Sequence, residues 1–150
     1  DDSVSLSQNV ISANGTLLFW VKRTTASADY IYSQNVDELS IYVGASPYVT
    51  TLYYDGSAVD TLTLTGNWEL VGFTFAQGAT GYSYLNGVQG SGVACSATAP
   101  TAGTTRIGSN TGGSANFFGG YIALFRQFNV ALTATQILNI FQQERHLFGV

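Results

Sequence analysis

The sequence predicts an all-β fold: an antiparallel sandwich or barrel with one short C-terminal helix. Three observations predict it. Short strand-like runs recur at regular intervals, turn residues separate them, and a single stretch near the C-terminus combines helical periodicity with a capping box.

The strand-like runs fall at residues 4–6, 16–22, 30–33, 39–43, 49–54, 59–64, 69–75, 82–85, 106–107 and 121–128. Between them lie Asn14-Gly15, Asp55-Gly56, Gly66-Asn67, Gly78, Asn86-Gly87, Gly112-Gly113 and Gly119-Gly120. Alternation assigns faces, because successive strand side chains point to opposite sides. Leu39, Ile41 and Val43 share one face while Ser40 and Tyr42 share the other. Val71, Phe73 and Phe75 oppose Gly72 and Thr74, and Val59, Thr61 and Thr63 are expected to oppose Asp60, Leu62 and Leu64. Asp55-Gly56 and Asn86-Gly87 each provide the pair of residues that accepts positive φ in a type I′ hairpin.

The helix begins where Thr133 and Gln136 form a capping box and Leu132 and Ile137 a hydrophobic staple. Ile137, Ile140, Phe141 and Phe148 then fall on one side, and Gly149 suits a C-terminal stop. The stripe is expected to pack on an edge or end of the sandwich. Residues 88–120 are rich in Gly, Ser, Ala and Thr and read as long surface loops around the short strand at 106–107.

At 150 residues the chain reads as one domain spanning 1–150. Charged residues make up only 9% of it, against a usual ~25%, so Ser, Thr, Asn, Gln and Gly must supply the polar surface. That composition suits all-β extracellular and viral proteins better than a cytosolic enzyme. The net charge is −4, and Lys22-Arg23 is the only basic pair, so the footprint for nucleic acid is missing. No apolar run approaches the about 20 residues that cross a bilayer, so membrane insertion is not expected. The start, Asp1-Asp2-Ser3, is neither a signal peptide nor an initiator Met; the chain reads as a processed product or a domain cut from a longer protein. Cys95 is the only cysteine, which rules out an internal disulfide; in the small-residue run Val93-Ala94-Cys95-Ser96 it reads as a buried, inert thiol.

The order of the pieces carries a family resemblance. The Trp68 strand, Tyr84-Leu85-Asn86-Gly87, Arg106-Ile107-Gly108, Gly119-Gly120-Tyr121-Ile122, Ala131-Leu132-Thr133 and the helix follow one another as in laminin-G-like, concanavalin A-like domains, the broad group that includes pentraxins. The aromatic strand Thr16-Leu17-Leu18-Phe19-Trp20-Val21-Lys22 resembles that group's N-terminal strand, so the likeness runs from about Thr16 to Phe141. It implies two antiparallel sheets in a jelly roll with one concave face and a helix after the last strand. It implies binding of sugars, glycans or proteins, with Ca²⁺ in many members, and an occurrence that includes phage, viral and bacterial surface proteins.

Related sandwich glycanases carry Glu-x-Asp-x-x-Glu on one strand, which sets carboxylates on one face for acid–base work. This chain has no such pattern. Beyond the N-terminal Asp1-Asp2, its only adjacent acids, Asp37 and Glu38, would point to opposite faces of a strand, and its only histidine, His146, lies in the C-terminal helix. No catalytic residue is assigned and no enzyme is expected. A Ca²⁺ site needs six to eight oxygens, and Asp29, Asp37, Asp55 and Asn110 would have to converge from separate loops to supply them; no cofactor is expected and no metal ligand is assigned. Tyrosines are the remaining resource: nine of them, with Tyr42, Tyr82 and Tyr84 off the aliphatic faces. A Tyr joins a flat apolar ring to a hydroxyl, which suits sugar stacking and protein interfaces alike. Tyr42, Tyr82 and Tyr84 are therefore the expected ligand-binding residues. The expectation is a non-enzymatic module, extracellular or on a virion surface, that recognises a glycan. The alternative is a structural capsid or fibre domain that binds other protein subunits.

Overall fold

The computed structural model describes residues 2–6, 13–35, 38–45, 48–101 and 103–150. Twelve strands are described: β1 (Val4–Leu6), β2 (Asn14–Arg23), β3 (Asp29–Gln34), β4 (Leu39–Val43), β5 (Val49–Tyr54), β6 (Ser57–Thr63), β7 (Trp68–Ala76), β8 (Thr80–Leu85), β9 (Val88–Gln89), β10 (Val93–Ala94), β11 (Thr105–Ile107) and β12 (Gly120–Phe128). Helix α1 (Ala134–Glu144) follows, with a 3₁₀ turn at Arg145–Leu147 that holds His146. The strands form two antiparallel sheets. The first runs β1-β11-β3-β4-β5-β6 and the second β10-β8-β7-β2-β12, with β9 also paired to β8. The molecule is an all-β two-sheet sandwich with one short C-terminal helix.

The core lies between the sheets. Leu17, Phe19 and Val21 of β2 and Val71, Phe73 and Phe75 of β7 meet Leu39, Ile41 and Val43 of β4 and Leu52 and Tyr54 of β5. Alternation predicts these faces correctly. It fails at β6, where Val59 lies in the core beside Leu62 and Leu64 while Thr61 and Thr63 are exposed. The pairing with β5 shifts register between Leu52 and Tyr53, so one extra residue on β6 lets Val59 turn inward. The same shift leaves Asp60 buried. Asp60 Oδ2 accepts from Ser83 N (2.9 Å), Ser83 Oγ (2.9 Å) and Gly92 N (3.1 Å), tying the edge of the first sheet to β8 of the second.

Both hairpins carry positive φ at both turn residues: Asp55 (50°) with Gly56 (71°), and Asn86 (52°) with Gly87 (82°). Between residues 88 and 120 the strand expected at 106–107 is present as β11, and two further short strands, β9 and β10, pair with β8. Cys95 is buried in the core, and burial pushes its thiol pKa up.

The helix departs from expectation in where it packs. Thr133 and Gln136 do form the capping box. The Ile/Phe stripe, however, covers the outer face of the second sheet rather than an edge or end. Ile137 packs with Leu18 and Tyr84, and Phe141 with Trp20 and Leu70. The reason is in β2, which is apolar on both faces: Leu18 and Trp20 point away from the inter-sheet core and need a third layer.

Candidate functional site

Helix α1 packs on the outer face of the second sheet, and the outer face of the first sheet lies on the other side of the sandwich. Register defines what that face carries. One row runs Arg106, Ser33, Ser40, Tyr53 across β11, β3, β4 and β5. The next runs Tyr30, Tyr42, Thr51, Thr61 across β3 to β6. Tyr30, Tyr42 and Tyr53 are half-buried, and Ser33 and Ser40 are fully covered. Tyr30 and Tyr42 meet edge to face, ring centroids 5.2 Å apart. This is the geometry aromatic pairs prefer, and it fixes both rings.

The segment 109–116 lies alongside these rows. Ser33 Oγ donates to Ser109 O (2.9 Å), Arg106 Nε to Thr111 O (3.0 Å), and Tyr30 N to Asn116 O (3.1 Å). Asn110 Oδ1 accepts from Gly113 N (3.1 Å). Gly113 (φ 65°) sits against the Arg106 guanidinium, where a Cβ would come within 2.4 Å of Cζ. The loop is thus held by side chains of the sheet beneath it. A cavity of about 280 Å³ opens beside it, between Asn35, Thr104, Thr111 and Gly112.

The structure does not bring the three expected tyrosines together. Tyr42 lies on the open face just described. Tyr82 and Tyr84 lie on β8, on the helix side of the other sheet. Tyr84 is only 3% exposed, and burial raises its hydroxyl pKa. Tyr82 is half-buried beneath Gly92, whose Cβ position would fall 2.5 Å from the ring. Tyr30 and Tyr53 were not singled out by the sequence reading. The signal for them is register: both are the strand neighbours, on one face, of residues already placed there.

The candidate calcium oxygens also lie apart. Asp29 pairs with Val43 at one end of β4, whereas Asp55 follows Tyr54, the partner of Leu39 at the other end. Asp29 is ion-paired to Arg23 in the interior (2.8 Å), and its second oxygen accepts from Gly119 N (3.0 Å). Asp55 accepts from Ser96 Oγ (2.8 Å), and Asn110 serves its own loop. Asp37 lies outside the described residues. Among the described residues no group of three or more His, Cys, Asp or Glu is placed to hold a metal ion. Nor does any described helix have the length and apolarity to cross a membrane.

Two apposed antiparallel sheets and a C-terminal helix define a lectin-type sandwich. The chain belongs to the concanavalin A-like lectin/glucanase superfamily, whose family model matches residues 1–138. Among solved structures it is similar to a heptameric SAP-like pentraxin from Limulus polyphemus, at 20% identity and a TM-score of 0.72 over 93% of this chain and 75% of that one. It is also similar to a botulinum neurotoxin DC binding domain solved with rat synaptotagmin II, at 16% identity and a TM-score of 0.66 over 87% of this chain and 36% of that one. A third likeness is to a structure described as showing that cell entry of botulinum neurotoxin type C depends on two ganglioside molecules, at 16% identity and a TM-score of 0.66 over 87% of this chain and 36% of that one. The chain spans about three quarters of the pentraxin but only about a third of the toxin domains. At these identities the likeness is one of fold. A comparison with curated proteins gives no match.

Proposed function

We infer that this domain is a non-enzymatic recognition module that binds a glycan at the open face of the first sheet. The observation that carries the reading is the half-buried Tyr30–Tyr42 pair, 5.2 Å apart on the outer face of the first sheet, away from the helix. Aromatic rings held at fixed angles present flat apolar surface to the C–H faces of a sugar, and their hydroxyls reach its oxygens. Arg106 and segment 109–116 supply polar groups along one side. Tyr42 is therefore retained as a ligand-contacting residue, joined by Tyr30 and Tyr53. Tyr84 supports the fold beneath α1, and Tyr82 lines the same layer with part of its ring exposed. Superfamily membership supports the ligand class, as do similar folds in one toxin domain bound to synaptotagmin II and another whose cell entry depends on gangliosides. The sparse charge favours a cell or virion surface as the setting. A glycan array screened with and without Ca²⁺ tests the reading; it predicts a bound glycan whose binding Tyr42→Ala abolishes. An array silent under both conditions would sink it.

A second reading is a structural module that binds protein subunits, and one observation favours it. Edge strand β12 exposes Tyr121 (61%) and Leu124 (46%) beside Val4 of β1 (56%), flanking an apolar cleft of about 420 Å³. Under this reading light scattering shows concentration-dependent self-association, and a monomer at all concentrations counts against a self-assembling form of it.

A further inference from the structure

The apolar cleft of about 420 Å³ lies where two sheet edges meet. Among the described residues β1 ends the first sheet and β12 ends the second. Tyr32 of β3 stacks on Phe125 of β12, ring centroids 6.1 Å apart, so both end strands fall on the same side of the sandwich. Ile107, Ile122 and Phe125 form the floor of the cleft and rest on the core. Val4 of β1 stands at one rim and Leu124 of β12 at the other, both exposed.

The backbone along this edge is unused. Among the described residues no backbone hydrogen bond reaches residues 121–128 from any element but β2. An unpaired edge beside an apolar cleft is a template for an added strand. Two features decide which strand. First, β12 is bulged between Ala123 and Arg126, where Leu124 sits at φ 46°. A bulge twists an edge out of the flat pairing that two copies of one strand need. It leaves residues 120–123 as a regular stretch, enough for a short peptide. Second, Asp2 is the only charged residue that lines the cleft; it is exposed, and no ion pair among the described residues uses it. The net charge of the chain is −4. Both favour a cationic partner.

We propose that this edge binds an extended peptide of another protein, which adds as a strand beside residues 120–123, sets an apolar side chain in the cleft and brings a Lys or Arg two residues away to Asp2. The peptide's main chain takes up the free N–H and C=O groups of β12. Side chains two apart on a strand share a face, so the apolar residue and the cation both point to the cleft. The proposal rests on the second reading above, protein recognition at this edge, and narrows the partner to a basic, apolar strand from a different chain. It uses none of the residues of the tyrosine face.

The test selects short random peptides displayed on phage against the full chain, then titrates the selected peptides, made synthetically, into the ¹⁵N-labelled protein. The expected sequences share an apolar residue with Lys or Arg two positions away. The amides of residues 120–123 should shift saturably and gain protection from hydrogen exchange. Methylating the peptide's backbone nitrogens at alternate residues should abolish binding for one of the two alternating sets and spare it for the other, because an added strand turns only every second N–H toward β12. Leu124→Asn keeps a residue that tolerates positive φ but removes the apolar rim, and should weaken binding about tenfold. Val4→Lys repeats that test on the opposite, exposed rim, where folding is not at stake. Asp2→Lys should cost up to about fivefold, the size of an exposed ion pair, and Tyr42→Ala should bind as wild type. No selected peptide that shifts residues 120–123, unchanged affinity in both Leu124→Asn and Val4→Lys, or tolerance of both methylated sets would overturn the proposal. Self-association through this edge with no such peptide would overturn it and leave the second reading standing. A protein that stays monomeric and selects no such peptide would remove both.

Discussion

The indole N–H of Trp20 donates to Glu144 Oε2 across 2.8 Å, joining the middle of the central strand β2 to the last residue of α1. Trp20 is fully buried and stacks on Phe148 at 4.1 Å and Phe141 at 5.9 Å. Arg126 of β12 closes the arrangement from the other side with two bonds to the same carboxylate. One Glu thus satisfies a buried donor, pairs a cation and anchors the helix. Glu144→Ala should cost about 2 kcal/mol, since it leaves the Trp20 N–H unpaired and Arg126 without its partner. Trp20→Phe keeps the stacking and should cost less, about 1 kcal/mol. Urea unfolding of both variants and of the double variant gives the coupling; additive losses would contradict the linkage.

Acid should loosen the same clamp. Burial pushes the Glu144 carboxyl up, but the bonds from Arg126 and Trp20 outweigh it, and the pKa ends below the ordinary 4.5. Asp60 behaves alike: burial raises it, the bonds from Ser83, Thr61 and Gly92 win, and it ends below 3.8. Lowered folded values mean stability that is complete above the unfolded pKa and is lost as pH falls through the folded one. The urea midpoint should therefore hold level from about pH 5 to 8 and fall below about pH 4.5. Glu144→Gln should flatten part of that fall, and an unchanged acid limb would argue against the clamp.

Asp60 is the tie between the two sheets at the β6–β8 edge. Asp60→Ala strands the backbone N–H groups of Ser83 and Gly92 and should cost about 3 kcal/mol. Hydrogen exchange checks the location: the Ser83 and Gly92 amides should lose protection before those of β2 and β7.

Two tyrosines separate binding from folding. Tyr84→Ala opens space between Leu18 and Ile137 and should cost about 3 kcal/mol. Tyr42→Ala, on the open face, should cost about 1 kcal/mol and abolish glycan binding. Thermal melts and array binding of the two variants, run side by side, read both axes.

Close packing gives a contrast between two glycines, Gly72 of β7 and Gly81 of β8. A Cβ at Gly72 would meet the end of the Leu18 side chain at 2.6 Å and Tyr84 Cβ at 3.3 Å. One at Gly81 would meet Val59 Cγ1 at 2.5 Å and the Thr74 carbonyl oxygen at 2.9 Å. Gly81→Ala should be the costlier change, within the about 1–3 kcal/mol of an overpacked core; denaturation midpoints decide the order.

Much of the fold is legible in the sequence because it rests on local chemistry. The inward faces of β4 and β7, the Asp55-Gly56 and Asn86-Gly87 turns, and the Thr133–Gln136 cap are each written within a few residues. What is not legible depends on strands distant in sequence. β2 lies between β7 and β12, and nothing near Lys22 announces that Trp68 and Tyr121 flank it. The bulge that turns Val59 inward comes from pairing with β5, which alternation along β6 does not reveal. One signal was present and points to the third layer. Leu17-Leu18-Phe19-Trp20-Val21 is apolar without alternation, and a strand of that kind is covered on both faces. The open tyrosine face is half legible: alternation places Tyr42 outward, but only the register brings Tyr30 and Tyr53 beside it.

We infer that the ligand surface is the outer face of the first sheet, around Tyr30 and Tyr42. The most direct measurement is a titration of the array-selected glycan into ¹⁵N-labelled wild-type protein and the Tyr42→Ala variant. Saturable shifts are expected at Tyr30, Tyr42, Tyr53 and the 109–116 segment, lost in the variant while its melting curve stays nearly unchanged. A bound glycan that leaves those residues unmoved, or that binds Tyr42→Ala as tightly as wild type, would contradict it.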